Sequence, residues 1–245
     1  MGDVYDKIEK AFDEVKDLEP EEVGALLGGK VEANFNGGYF ENACTIRLSH
    51  AFNTVGSTDS SVPKIDYRHG QTVSGASGDW YIYRVGEMEK FVRQYEGDPD
   101  ITISLQDYNM DSTRYAEIIA DIAVVADEQG LELPEYVVLG IDVATGVRSE
   151  EELENYDMPS MIEQVEDWLQ LMGQIDARVA MPGLEDMQNY FTAITQLKDL
   201  KGIIAYESDT MDDALGHMDL WNGTDCQDAC SVDKATTISF WKLGG

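Results

Sequence analysis

Of the three cysteines and three histidines in the chain, Cys44 and His217 are placed where one could activate the other. Cys44 stands just before Leu48, Ala51, Phe52 and Val55, a stripe at helical spacing, so it belongs at the N-terminal end of a helix. Unpaired backbone N–H groups and the positive end of the macrodipole favour a nucleophilic thiolate at such a position. His217 opens the alternating run Gly216 to Trp221, in which Met218 and Leu220 face one side and His217, Asp219 and Trp221 the other. A strand of that kind can present an imidazole to a helix-borne thiol. The chemistry would be thiolate attack on an amide carbonyl, which needs a base within hydrogen-bond reach, a third group to fix the imidazole tautomer and donors for the oxyanion. The backbone N–H of Cys44 is the expected oxyanion donor, because a helix start points it outward. The ordinary reading of the same residues is a cysteine used for packing and a histidine that is merely a satisfied polar group.

Other candidates carry less. His50 follows Cys44 by six residues on the same helix, about 120° around it, and His69 sits in a polar loop; neither is given a role. Cys226 and Cys230 are close in sequence, but no paired second half completes a zinc site, so neither a metal nor a cofactor is expected. Gly24, Gly29 and Lys30 imitate a phosphate-binding loop, yet Val31 stands where a Ser or Thr must hold Mg²⁺ and a helix precedes the motif. Asn222-Gly223-Thr224 suits the turn after a strand, and Tyr81, Tyr83 and Trp221 fit either cleft walls or core.

The elements that must carry Cys44 and His217 follow from periodicity. Val4, Ile8, Phe12 and Val15 define a first helix with Asp3 as its cap, and a second follows Pro20 and ends at Gly28-Gly29. Residues 31–43 read as loop. After the Cys44 helix come a strand over Trp80–Val85 and a helix through Met88, Phe91, Val92 and Tyr95. Ile118, Ile119, Ile122 and Val125 make a helix, Tyr136–Val143 a strand, and Ile162–Met172 and Leu184–Ile194 two more helices. From Gly202 the chain turns to three strands, over GIIAYES, HMDLWNG and TTISFWKL.

With 245 residues, 43% of them hydrophobic and 9% aromatic, the chain can bury a core and form one large or two small domains. A net charge of −31 argues against nucleic acid and against anionic lipid surfaces. No run nears about 18 apolar residues, and no export signal opens the sequence, so neither a membrane span nor a signal peptide is expected. Residues 98–199 hold −19 of that charge. Such a segment is either a salt-adapted surface or an inserted module.

Four blocks carry a resemblance: GGKVEANFNGGYFENACTIRLSHAFN (28–53), WYIYRV with its following helix (80–95), KGIIAYES (201–208) and GHMDLWNGTDCQDAC (216–230). In this order they resemble the type VI secretion amidase effectors of family four, which are papain-like cysteine amidases. The resemblance implies an α+β fold in which a helix-borne cysteine packs on an antiparallel sheet. Residues 1–99 and 190–245 would form that amidase domain and residues 100–189, where no block falls, a mainly helical acidic insertion subdomain.

It further implies cleavage of the γ-D-glutamyl–diaminopimelate amide in peptidoglycan stem peptides. The protein would be made in the bacterial cytoplasm, handed to the type VI secretion apparatus, delivered to the periplasm of a rival cell and neutralised at home by a cognate immunity protein. Cys44 becomes the nucleophile, His217 the base and Asp228 the orienting acid. Asp219 is the rival acid. It shares a face with His217 but lies about 6.6 Å along the strand, long for a direct hydrogen bond, while a neighbouring segment can approach side-on. Cys226 and Cys230 can form a small disulfide-closed loop that holds Asp228, in keeping with deployment in an oxidising compartment. The alternatives are another papain-like thiol protease or acyl transferase, and a catalytically idle module that binds the cell wall.

Overall fold

Tyr5, Ile8, Ala11 and Phe12 recur at helical spacing and are wholly buried, so the first helix, α1 (Val4–Phe12), docks its apolar stripe on the helix that Cys44 begins. The computed structural model describes residues 4–40, 42–149, 151–152, 155–208, 216–228 and 235–243; the expected cap Asp3 lies outside them. The chain divides into two compact units, residues 1–102 with 200–245, and residues 103–199.

In the first unit, α2 (Pro20–Leu27) is followed at once by α3 (Gly29–Asn36), α4 (Cys44–Gly56) and α5 (Val85–Glu96). The expectation of a loop over residues 31–43 is corrected by α3. Val31 and Phe35, four residues apart, are both buried, and Gly28 and Gly29 take φ of 63° and 64°, so the glycine pair reverses the chain between two helices instead of ending the helical region. A short hairpin joins β1 (Thr72–Ser74) to β2 (Trp80–Ile82). The expected strand over 80–85 stops at Ile82 because Val85 already begins α5.

The main sheet has the order β3-β6-β4-β5, with β3 (Ile101–Ser104), β4 (Gly202–Glu207), β5 (Gly216–Trp221) and β6 (Thr237–Lys242). β4 pairs antiparallel with both β5 and β6. β3 is a strand that four residues of weak alternation do not announce. Ile203, Ala205, Met218 and Leu220 share one core with Tyr5, Leu48, Phe52, Met88 and Phe91, which joins the sheet to α1, α4 and α5. His217, Asp219 and Trp221 occupy the opposite face of β5, as the alternation requires.

The second unit holds α6 (Ser112–Glu128), α7 (Glu135–Ala144), α8 (Met161–Gln174) and α9 (Leu184–Ile194). The strand expected over Tyr136–Val143 is α7. Its Val and Ile content favours strand, but Tyr136, Leu139, Gly140 and Val143 follow the i, i+3, i+4, i+7 pattern and turn inward, leaving Val138 and Ile141 exposed. Ser160 and Glu163 cap α8 reciprocally. Among the described residues, no helix is long and apolar enough to cross a membrane.

Candidate active site

The helix that bears Cys44 is buried on nearly every side, so its polar residues must find partners inside the protein. Ser49 Oγ donates to the Thr45 carbonyl at 2.7 Å and accepts the Ile82 N–H at 3.0 Å. Asn53 donates to Trp80 O at 2.8 Å and accepts from Ile65 N–H at 2.9 Å. These bonds fix α4 against β2. Arg47, one turn after Cys44, donates from Nε to Val15 O at 3.1 Å, from a terminal nitrogen to Leu18 O at 2.5 Å, and forms an ion pair with the Asp228 carboxylate. Thus α4 is tied to the segment after α1 and to the segment after β5 by one guanidinium.

β5 is an edge strand and packs beside α4. Gly216 is required at its start, since a Cβ there would lie 2.2 Å from Tyr206 O on the paired strand. The next residue, His217, is 6% exposed and interacts with the buried Cys44. Its ring lies 5.4 Å from that of Tyr206. Asp219 is fully buried, and its Oδ2 is 3.8 Å from His217 Nε2, an ion-pair separation rather than a hydrogen bond. Burial alone would push the His217 pKa down, but the Asp219 carboxylate and the Cys44 sulfur outweigh it and raise the pKa to about 10. The site therefore favours an imidazolium beside two groups that can be anionic.

Asp228 reaches this cluster from the segment after β5. Its N–H donates to Asp219 Oδ2 at 2.8 Å, while its own carboxylate is held by Arg47. Burial pushes the Asp228 carboxyl up, with Asp219 and Asp17 adding to it, against the lowering pull of Arg47 and His217. As strand spacing leads one to expect, Asp219 makes no direct hydrogen bond to His217, yet its carboxylate lies at ion-pair distance, 3.8 Å from Nε2. No hydrogen bond joins Asp228 to His217 among the described residues.

The Cys44 N–H is not free at the helix start. It donates to Asn42 Oδ1 at 2.9 Å, because the N-cap residue, Ala43, has no side-chain acceptor and Asn42 supplies one. Cys226 is disulfide-bonded, and its expected partner Cys230 lies outside the described residues. Among the described residues no group of acids, histidines and cysteines could hold a metal.

A family model described as type VI secretion system (T6SS), amidase effector protein 4, Tae4, matches residues 40–118 and 140–241, more than half of the chain and every member of this cluster. The chain belongs to the Tae4 family. Crystal structures agree in fold. Tae4 of Salmonella Typhimurium, solved as an effector–immunity complex with Tai4, gives a TM-score of 0.56 at 21% identity over 99% of both chains. Tae4 of Enterobacter cloacae gives 0.55 at 23% identity over 99% of this chain and 98% of that one. A search of curated proteins finds no match.

Within this Tae4-family chain, the structure brings Cys44, His217, Asp219 and Asp228 into one cluster and leaves the other histidines out. His50 Nε2 pairs with Glu14 at 3.3 Å, and His69 accepts the Asp66 N–H at 2.9 Å with its ring edge on Phe91. Asn222 accepts from Thr224 and Asp225 N–H, both at 2.9 Å, which is the turn expected there. Trp221 and Tyr81 are core, and Tyr83 stacks on Phe40 at 5.0 Å. Asn42 and Arg47 were not singled out from the sequence. The usable signal for Arg47 was a cation at i+3 from Cys44 within an apolar helix of a chain poor in cations.

Proposed function

We propose that the chain is a papain-like cysteine amidase that hydrolyses the γ-D-glutamyl–diaminopimelate amide of peptidoglycan stem peptides. The observation that carries this reading is the buried pairing of Cys44, first residue of α4, with His217 on β5. With Nε2 of His217 turned to Asp219, Nδ1 is left to take the Cys44 proton and later to return it to the leaving amine. The Cys44 sulfur attacks the amide carbonyl, the amine departs with that proton, and water hydrolyses the thioester. Asp228 is the orienting acid that the family resemblance carries over, and a Cys226–Cys230 bridge would steady its segment. The Asn42 amide, whose oxygen already holds the Cys44 N–H, carries an NH2 group that would donate to the oxyanion.

Family membership supports a place of action in which the type VI apparatus exports the protein, delivers it to a rival cell's periplasm, and a cognate immunity protein like the Tai4 seen with relatives protects the producer. Residues 100–189 are read as a mainly helical acidic subdomain inserted within the amidase sequence. Mass spectrometry of muropeptides digested by the wild type, Cys44→Ala and His217→Ala tests the chemistry. Cleavage at the proposed amide by the wild type alone is expected. Cleavage by either variant removes the mechanism, and digestion of casein but not muropeptides removes the substrate.

A further inference from the structure

A fully buried carboxylate opposite an apolar strand position is costly, and Asp219 is 0% exposed with Ile204 as its cross-strand neighbour. An apolar side chain would fill that place more cheaply. What surrounds the carboxylate explains its presence. Its Oδ1 accepts the Leu220 N–H at 2.6 Å, its Oδ2 accepts the Asp228 N–H at 2.8 Å, and the same Oδ2 is 3.8 Å from His217 Nε2. Nε2 is itself buried and has no hydrogen-bond partner among the described residues.

We propose that Asp219 is a second positioning residue of the site: its carboxylate orients the Nε2 edge of His217, while its bond to the Asp228 main chain fixes the segment that carries the other acid. The Asp219 carboxylate then lies against the imidazole directly, while the Asp228 carboxylate is held by Arg47 and acts on the ring only through its charge. This rests on the amidase reading for the task of His217 but not for the placement of Asp219. The groups that face the imidazole are Cys44 from α4, Tyr206 from β4, Asp219 from β5 and Asp228 from the segment beyond. Asp219 is the one whose oxygen lies at ion-pair distance from Nε2.

The test is the titration of His217, followed by NMR on histidine-labelled full-length protein carrying Cys44→Ala, so that turnover plays no part. Asp219→Asn removes the charge and keeps one oxygen that can accept from either the Leu220 or the Asp228 N–H. The His217 pKa should fall by about 1 to 3 units, and more than in Asp228→Asn. In protein with Cys44 intact, kcat on muropeptides should fall about a hundredfold with KM unchanged. A titration that Asp219→Asn leaves in place, or that only Asp228→Asn moves, overturns the proposal. If Asp219→Asn does not fold, the imidazole nitrogen shifts of protein with Asp219 intact, recorded above the His217 pKa where the ring is neutral, decide: protonation on Nε2 supports the placement and protonation on Nδ1 refutes it. Failure of the amidase reading is seen separately, as muropeptide cleavage that survives loss of Cys44.

Discussion

Replacing Arg47 by Met keeps the helix former and the apolar stem while removing the guanidinium that links α4 to Asp228, Val15 and Leu18. The Arg47 and Asp228 side chains are 9% and 18% exposed, so solvent screens their pair little. Removing one partner of a buried pair costs about 3–5 kcal/mol, chiefly because the other charge is left stranded. For a chain of this size that is a fall in Tm of roughly 6–20 °C. Because the chain has two compact units, calorimetry should show the loss in the transition of the unit that contains Arg47. The pH dependence has a definite sign. Asp228 already has a raised pKa through burial, and without Arg47 it rises further. A carboxyl whose folded pKa lies above its unfolded value destabilises most when ionised, so the deficit should be full near about pH 7 and shrink as pH falls through the raised pKa. Adding Asp228→Asn should then restore part of the lost stability, a non-additive double-mutant cycle. A loss below about 1 kcal/mol, or an additive cycle at neutral pH, would refute the view that Arg47 compensates the Asp228 charge.

Asn42→Ala removes the acceptor of the Cys44 N–H, a side-chain cap at that helix start; about 1 kcal/mol of stability and at least tenfold in kcat should be lost, read by urea unfolding and muropeptide turnover, and unchanged turnover would discard Asn42 as an oxyanion donor. His217 has a folded pKa raised from 6.5 to about 10, so its contribution is full below the unfolded value and lost as pH rises through the folded one; urea midpoints measured across that window should fall for the wild type and stay level for His217→Gln. A cognate immunity protein should present a basic docking face to a chain of net charge −31, so its association rate should drop steeply with added salt in a surface-binding assay, and a salt-insensitive rate would remove the electrostatic argument.

Local pattern carried most of the helices and the three C-terminal strands. The stripes of α1, α4, α5, α6, α8 and α9 each bury one face, and β4, β5 and β6 lie where alternating apolar residues put them. The pattern failed where two local signals compete. In α7, β-branched residues favour a strand while spacing supports a helix, and packing of Leu139 decides for the helix. At Gly28-Gly29, positive φ permits both a stop and a restart, and burial of Phe35 selects the restart.

The sequence by itself determined that Cys44 begins a helix, that His217 and Asp219 share a strand face and that Asp228 follows within the same block, because each depends only on spacing along the chain. Which groups touch was decided by tertiary structure alone. Cys44 and His217 meet across more than half the chain, and Arg47 reaches Asp228 only because α4 packs beside β5. Strand spacing puts Asp219 beyond direct hydrogen-bond reach of His217, and only the packing of the closed core sets the pair at an ion-pair separation of 3.8 Å. Contact distances between side chains depend on packing in three dimensions, and residue spacing carries no term for it.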